Sequence, residues 1–154
     1  MVNMSSFPIE EFENQEQLDK CLSYWKEKLG LQNWLIKARV VKQEDFELDG
    51  CSGENSFVYE SRTSDIHIIR KEDFPEDTVE RYCAESILVH ELLHCMYCYL
   101  NFKGEYGKKS YETKYLKVNE HQKLDSMSKT LVMVKYNLPL EYFYRDFEVE
   151  EQGK

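Results

Sequence analysis

The spacing of apolar residues changes several times along this chain, and each change marks an element. Over residues 10–29, Phe12, Leu18, Leu22, Trp25 and Leu29 recur at helical spacing and Gly30 follows. That predicts an amphipathic helix closed by glycine. Residues 34–41 roughly alternate apolar and polar, as a strand with one buried face does. After a polar, glycine-containing segment (43–54), residues 56–60 and 65–70 read as two more strands joined by 61–64. From Pro75 the chain then runs without proline or glycine to Gly104. Pro75 suits a first helical turn, and Glu76, Asp77 and Glu80 suit the positive end of a helix. Further on, Ile87, His90, His94 and Tyr97 share a face, and Leu88, Val89, Leu92, Leu93 and Met96 cover most of the rest. A helix apolar nearly all round is a buried one.

Residues 101–113, with Gly104 and Gly107, break the pattern before a second long amphipathic helix carrying Leu116, Leu124, Met127, Leu131 and Val134. The aromatic tail, 138–146, is expected to pack onto the rest. Together these predict one α+β domain over residues 1–154. It has an N-terminal helix, a sheet of three or more strands packed on the buried helix, and a second long helix.

Two histidines inside a buried helix need partners. They occur in His90-Glu91-Leu92-Leu93-His94, which reads H-E-x-x-H. Histidines four apart lie one turn above each other on one face, so both imidazoles can reach one metal ion, normally zinc. Glu91, beside the first histidine, can then act as the base for a water molecule in metal-assisted hydrolysis.

A catalytic zinc takes a third protein ligand and leaves its fourth position open. Glu120 falls on the apolar stripe of the second helix, where an acidic side chain needs a partner, and is the first candidate. His121, about 100° further round, is the alternative. His121, Tyr142 and Tyr144 are also candidates to stabilise a developing oxyanion. Glu85 lies about 140° around the helix from His90, so it is not a ligand. It is read as capping a hydrogen-bond network or orienting a histidine, or else as pairing with Arg81 or being solvated. His67 is read as a strand surface residue.

The pattern His90-Glu91-x-x-His94, a connection of about 25 residues, then Asn119-Glu120 resembles the zincin metallopeptidases, and among them the gluzincin type. More closely, Glu85-Ser-Ile-Leu-Val-His-Glu-Leu-Leu-His is similar to the small metallopeptidases encoded by bacteriophages and prophages. The resemblance spans residues 85–131. It implies a minimal zincin-like fold, a Zn2+ cofactor held by His90, His94 and Glu120, and peptide hydrolysis with Glu91 as general base. The expected partner is a peptide or protein substrate, held along a sheet edge and cleaved with narrow specificity. A zinc-stabilised binding or regulatory module without general proteolysis is the alternative.

Composition narrows the setting. With 29 acidic against 20 basic residues the net charge is −9, which argues against general affinity for nucleic acid. No apolar run approaches a membrane span, and residues 1–13 lack the basic and apolar regions of an export signal. Five scattered cysteines then fit a reduced, cytoplasmic protein. Cys95 and Cys98, formally C-x-x-C, are read as small buried side chains rather than ligands. Oligomeric state has no signature in the sequence.

Overall fold

The computed structural model describes residues 6–48, 50–97 and 110–146, with side chains of the last stretch from residue 119 onward. Among them are three α-helices, α1 (Gln15–Lys28), α2 (Ala84–Met96) and α3 (Ser110–Tyr136), and three strands, β1 (Leu35–Val41), β2 (Gly53–Val58) and β3 (Thr63–Ile69). The fold is α+β, with its elements in the expected order. The sheet is mixed: β3 is central, β1 runs parallel to it and β2 antiparallel. One sheet face supplies Ile36, Ala38, Ile66 and Ile68 to the core, where they meet Leu18, Leu22 and Trp25 of α1 and Leu88, Val89 and Leu92 of α2. The other face carries a polar row, Arg39, His67 and Glu54, in register across the three strands. His67 Nδ1 is 2.8 Å from Glu54 Oε1, and its Nε2 accepts from Arg39 Nε at 3.2 Å. Both ring nitrogens of His67 are engaged away from α2, in keeping with a strand surface role.

Helix α2 packs against β2 and β3 on one side and α3 on the other. Leu88, Leu92 and Leu93 are fully buried, each stabilising the fold by about 2 kcal/mol. That apolar gain lets the same helix carry Glu85, His90 and Glu91 into the interior.

Several boundaries differ from the sequence reading. Helix α1 starts at Gln15 because Asn14 caps it, its side chain accepting from the Gln17 amide at 2.8 Å. The preceding segment instead straps across the start of α2: the carbonyls of Glu10 and Ile9 accept from the amides of Ala84 and Glu85. Helix α2 begins at Ala84, not near Pro75. The intervening segment takes its backbone partners from the C-terminal part of the chain. Glu80 forms an antiparallel bridge with Tyr144, the Arg81 amide donates to the Phe143 carbonyl, and the Arg145 guanidinium donates to the carbonyls of Pro75, Glu76 and Glu80. Tertiary partners override a favourable local signal for helix here. At the other ends, Gly30 (φ 70°) closes α1 as expected and Asn137 (φ 53°) follows α3. Helix α2 ends at Met96 with Tyr97 as its C-cap; Cys98 and residues 101–109 lie outside the described residues, while 110–113, expected in the connection, begin α3.

The Glu85 side chain is fully buried and fully engaged. Its Oε2 accepts from the Ile9 amide (2.9 Å) and Tyr136 hydroxyl (2.7 Å); its Oε1 accepts from Trp25 Nε1 (2.9 Å) and Lys135 Nζ (2.6 Å). The Lys135 ammonium also lies 4.0 Å from the ring centre of Tyr24. The alternatives of a solvated Glu85 or an Arg81 pair are thereby replaced: Arg81 pairs with Glu10. Replacing Glu85 by Ala leaves the lysine, the indole and an amide without their acceptor. We expect a loss of about 3–5 kcal/mol, measured by urea unfolding against wild type, as for other buried charged pairs broken on one side.

Candidate metal centre

His90 and His94 lie one turn apart on the face of α2 that meets α3, and α3 brings His121 against them. The ring centres are 5.2 Å apart for His90–His94, 4.6 Å for His90–His121 and 6.1 Å for His94–His121. One nitrogen from each ring lies within 4.8 Å of the other two, so the three can hold one metal ion. His90 is buried, His94 partly so, and His121 is exposed, which leaves the group open on the α3 side.

Three observations fit this group to a cation. His90 Nε2 is buried and has no hydrogen-bond partner among the described residues, a costly state for a polar nitrogen unless an ion uses its lone pair. Burial, together with the neighbouring histidines, lowers the pKa of His94 to about 4, and burial also lowers that of His121. Both imidazoles are thus held neutral, as ligation requires. Asp125 stands behind His90, its Oδ1 3.6 Å from Nδ1. A carboxylate there favours the tautomer with hydrogen on Nδ1 and leaves Nε2 for the metal. His90 and then Lys129 hold the Asp125 carboxyl down at about 2.

At the third position the structure gathers the alternative candidate rather than the first. Glu120, the first candidate, does not belong to the group; His121 does. Adjacent helical residues point about 100° apart, and the way α3 crosses α2 turns residue 121 toward the histidines. Asp125, four residues on, shares that face.

The Glu91 side chain reaches β2. It is 5% exposed and burial raises its carboxyl pKa to about 7. Strand β2 comes close enough that a Cβ on Gly53 would lie 2.7 Å from Glu91 Oε1 and 2.9 Å from Ile87 Cγ2. Glycine at 53 is therefore a space requirement. Two residues on, Asn55 Nδ2 donates to the Glu91 carbonyl at 2.7 Å, while Ser64 Oγ donates to Asn55 Oδ1 at 2.6 Å. His90, Glu91 and His121 line one cavity of about 380 Å³, which Cys51, Gly53, Phe74, Glu80, Lys129 and Phe143 help to enclose.

Neither tyrosine proposed for the oxyanion lines this cavity. The Tyr142 hydroxyl donates to Glu10 at 2.9 Å, and the backbone of Tyr144 bridges Glu80. Cys95 is buried against Asn55, consistent with packing rather than ligation. Sequence reasoning missed Gly53, Asn55 and Asp125. Only Asp125 carried a signal, its spacing of four from His121.

No protein-family model, curated protein or solved structure matches this chain. Among the described residues, no helix is long and apolar enough to cross a membrane.

Zinc titrated into metal-free protein is expected to bind one ion per chain, to be retained by Glu120→Ala and to be lost or strongly weakened in His121→Ala. Elemental analysis after gel filtration checks this. A second expectation concerns pH in the metal-free protein. The Glu91 pKa is raised from 4.5 to about 7, so its contribution to stability is present in full below 4.5 and lost as pH rises through 7. His94, lowered from 6.5 to about 4, contributes above 6.5 and loses that contribution as pH falls toward 4. The two oppose each other. The stability of Glu91→Gln relative to wild type should therefore rise steadily from pH 4.5 to 7, as followed by denaturant melts.

Proposed function

We propose that this protein is a zinc metallopeptidase, cleaving a peptide bond in a narrow range of peptide or protein substrates. The observation that carries the reading is the buried, unpartnered Nε2 of His90 within a three-histidine group that borders a cavity beside Glu91. Among the described residues, three side chains make up the group. A closed structural site is sealed by protein, whereas here His90 and His121 border a cavity that Glu91 also lines, as at a catalytic site. This favours the enzyme over a zinc-stabilised binding module. The zincin resemblance adds to the reading, with the departure that the third ligand is histidine in place of glutamate.

In this mechanism His90, His94 and His121 would hold the ion. Zinc bound there supplies Lewis acidity, polarising the scissile carbonyl and acidifying water. Glu91 takes the proton of the attacking water and delivers it to the leaving nitrogen. Burial holds its carboxyl near pKa 7 in the metal-free site, a range suited to both accepting and releasing a proton near neutrality. Asn55 fixes the backbone at Glu91, and Gly53 leaves room for its side chain.

The test is Glu91→Gln assayed on fluorescein-labelled casein and a random peptide library, with zinc content measured in parallel. We expect wild type to cleave at least one library peptide. The variant should keep its zinc and lose turnover by about 10²–10⁴-fold or more. Undiminished cleavage by the variant would remove Glu91 from the chemistry and with it this assignment.

A further inference from the structure

We propose that Lys129 and Glu80 are positioning residues for the metal-binding imidazole of His90, acting through Asp125. The inference rests on the zinc reading above and extends it to two side chains outside the H-E-x-x-H motif. The Asp125 carboxylate divides its oxygens. Oδ1 faces His90 Nδ1 at 3.6 Å, and Oδ2 accepts from Lys129 Nζ at 2.8 Å. The same ammonium donates to Glu80 Oε1 at 3.0 Å. Lys129 is held between the two carboxylates with its side chain 17% exposed.

This arrangement is more than a surface pair. An isolated exposed ion pair contributes little and leaves both side chains free to reorient. Lys129 bridges two separate parts of the chain, and its far end is fixed. The Glu80 backbone bridges Tyr144, and its carbonyl accepts from Arg145 Nε at 3.0 Å. The chain of contacts thus runs from a pinned backbone through Glu80, Lys129 and Asp125 to the back of His90. At 3.6 Å the Asp125 carboxylate faces His90 Nδ1 from just beyond hydrogen-bond length, so its aim depends on the hold on its other oxygen. Partners of this kind, behind a metal-ligating histidine, set ring orientation and ligand basicity, and losing one costs about 10–100-fold in metal affinity.

Direct electrostatics predicts the opposite sign. An ammonium near a dication repels it, so removing Lys129 should strengthen zinc binding if charge alone matters. The positioning role predicts weakening. The experiment is zinc affinity by competition with a chromophoric chelator, on full-length, metal-depleted wild type and on Asp125→Asn, Lys129→Met, Lys129→Gln, Lys129→Arg, Glu80→Gln and the Asp125→Asn/Lys129→Met double variant. Circular dichroism confirms that each one compared is folded.

We expect Asp125→Asn to bind about 10–100-fold more weakly and Lys129→Met about three- to tenfold more weakly. The double variant should be no weaker than Asp125→Asn alone, because Lys129 acts through the aspartate. Lys129→Arg should recover most of the affinity. Glu80→Gln should show a loss of about twofold, smaller than that of Lys129→Met. Should Lys129→Met fail to fold, Lys129→Gln takes its place with the same expectation. Unchanged or tighter zinc binding without Lys129, or losses that multiply in the double variant, would overturn the inference while leaving the zinc site intact. Wild type that takes up no zinc would overturn both.

Discussion

The contact between Glu85 and Lys135 sets the register in which α2 and α3 run side by side, and the candidate centre depends on that register. The two helices are antiparallel: Glu85 meets Lys135 and Tyr136 at one end, His90 meets Asp125 further along, and His94 meets His121 beyond it. A carboxylate with no exposure has few acceptable surroundings, and here four donors from three other segments supply them. Sliding α3 by one residue would move Lys135 off Glu85 and turn its inner face by about 100°. The cost of leaving that carboxylate short of donors therefore opposes displacement of His121 from the histidine pair.

From its other side, α2 is held by β2. Within the motif the division of labour follows from helical geometry: His90 and His94 share the face toward α3, while Glu91 is rotated toward the strand. Gly53 and Asn55, two apart on β2, lie on the strand face that meets α2. One leaves space for the Glu91 side chain and the other binds its carbonyl. Two carboxylates six residues apart on one buried helix thus have different fates. The oxygens of Glu85 are saturated by donors and serve architecture. Glu91 borders a cavity with its carboxyl shifted upward by burial, which leaves it able to exchange a proton.

How much of this could be read from the residues depended on how local the cause was. The motif helix, its burial and the pairing of His90 with His94 follow from a spacing of four and an apolar periphery, both local properties. The strands were likewise legible, to within a few residues at their ends, from alternation. The choice between Glu120 and His121 was not legible, because it turns on how α3 crosses α2, and a single residue separates two directions 100° apart. The stretch after Pro75 looked like a helix start on every local criterion, yet Arg145, more than sixty residues later, takes its carbonyls. Gly53 carried no signal, since the need for a missing side chain exists only once Glu91 lies opposite it.

The replacement of a carboxylate by an imidazole at the third position changes the chemistry of the proposed centre. A set of three neutral histidines adds no negative charge to a bound dication, so the ion would keep its full charge toward a substrate carbonyl. Hard cations such as magnesium and calcium, which need oxygen donors, are disfavoured by the same set, whereas zinc and its transition-metal neighbours are suited to it. The compensating negative charge is placed one step back, on Asp125 behind His90. There it raises the donor strength of the ring without occupying a coordination position. Asp125 in turn is shared with Lys129, which tempers its charge. The polarising power of such a centre is thus set by a graded series, neutral ligands in front and an ion-paired carboxylate behind, and the side chains that hold Asp125 belong to the site as much as the histidines do.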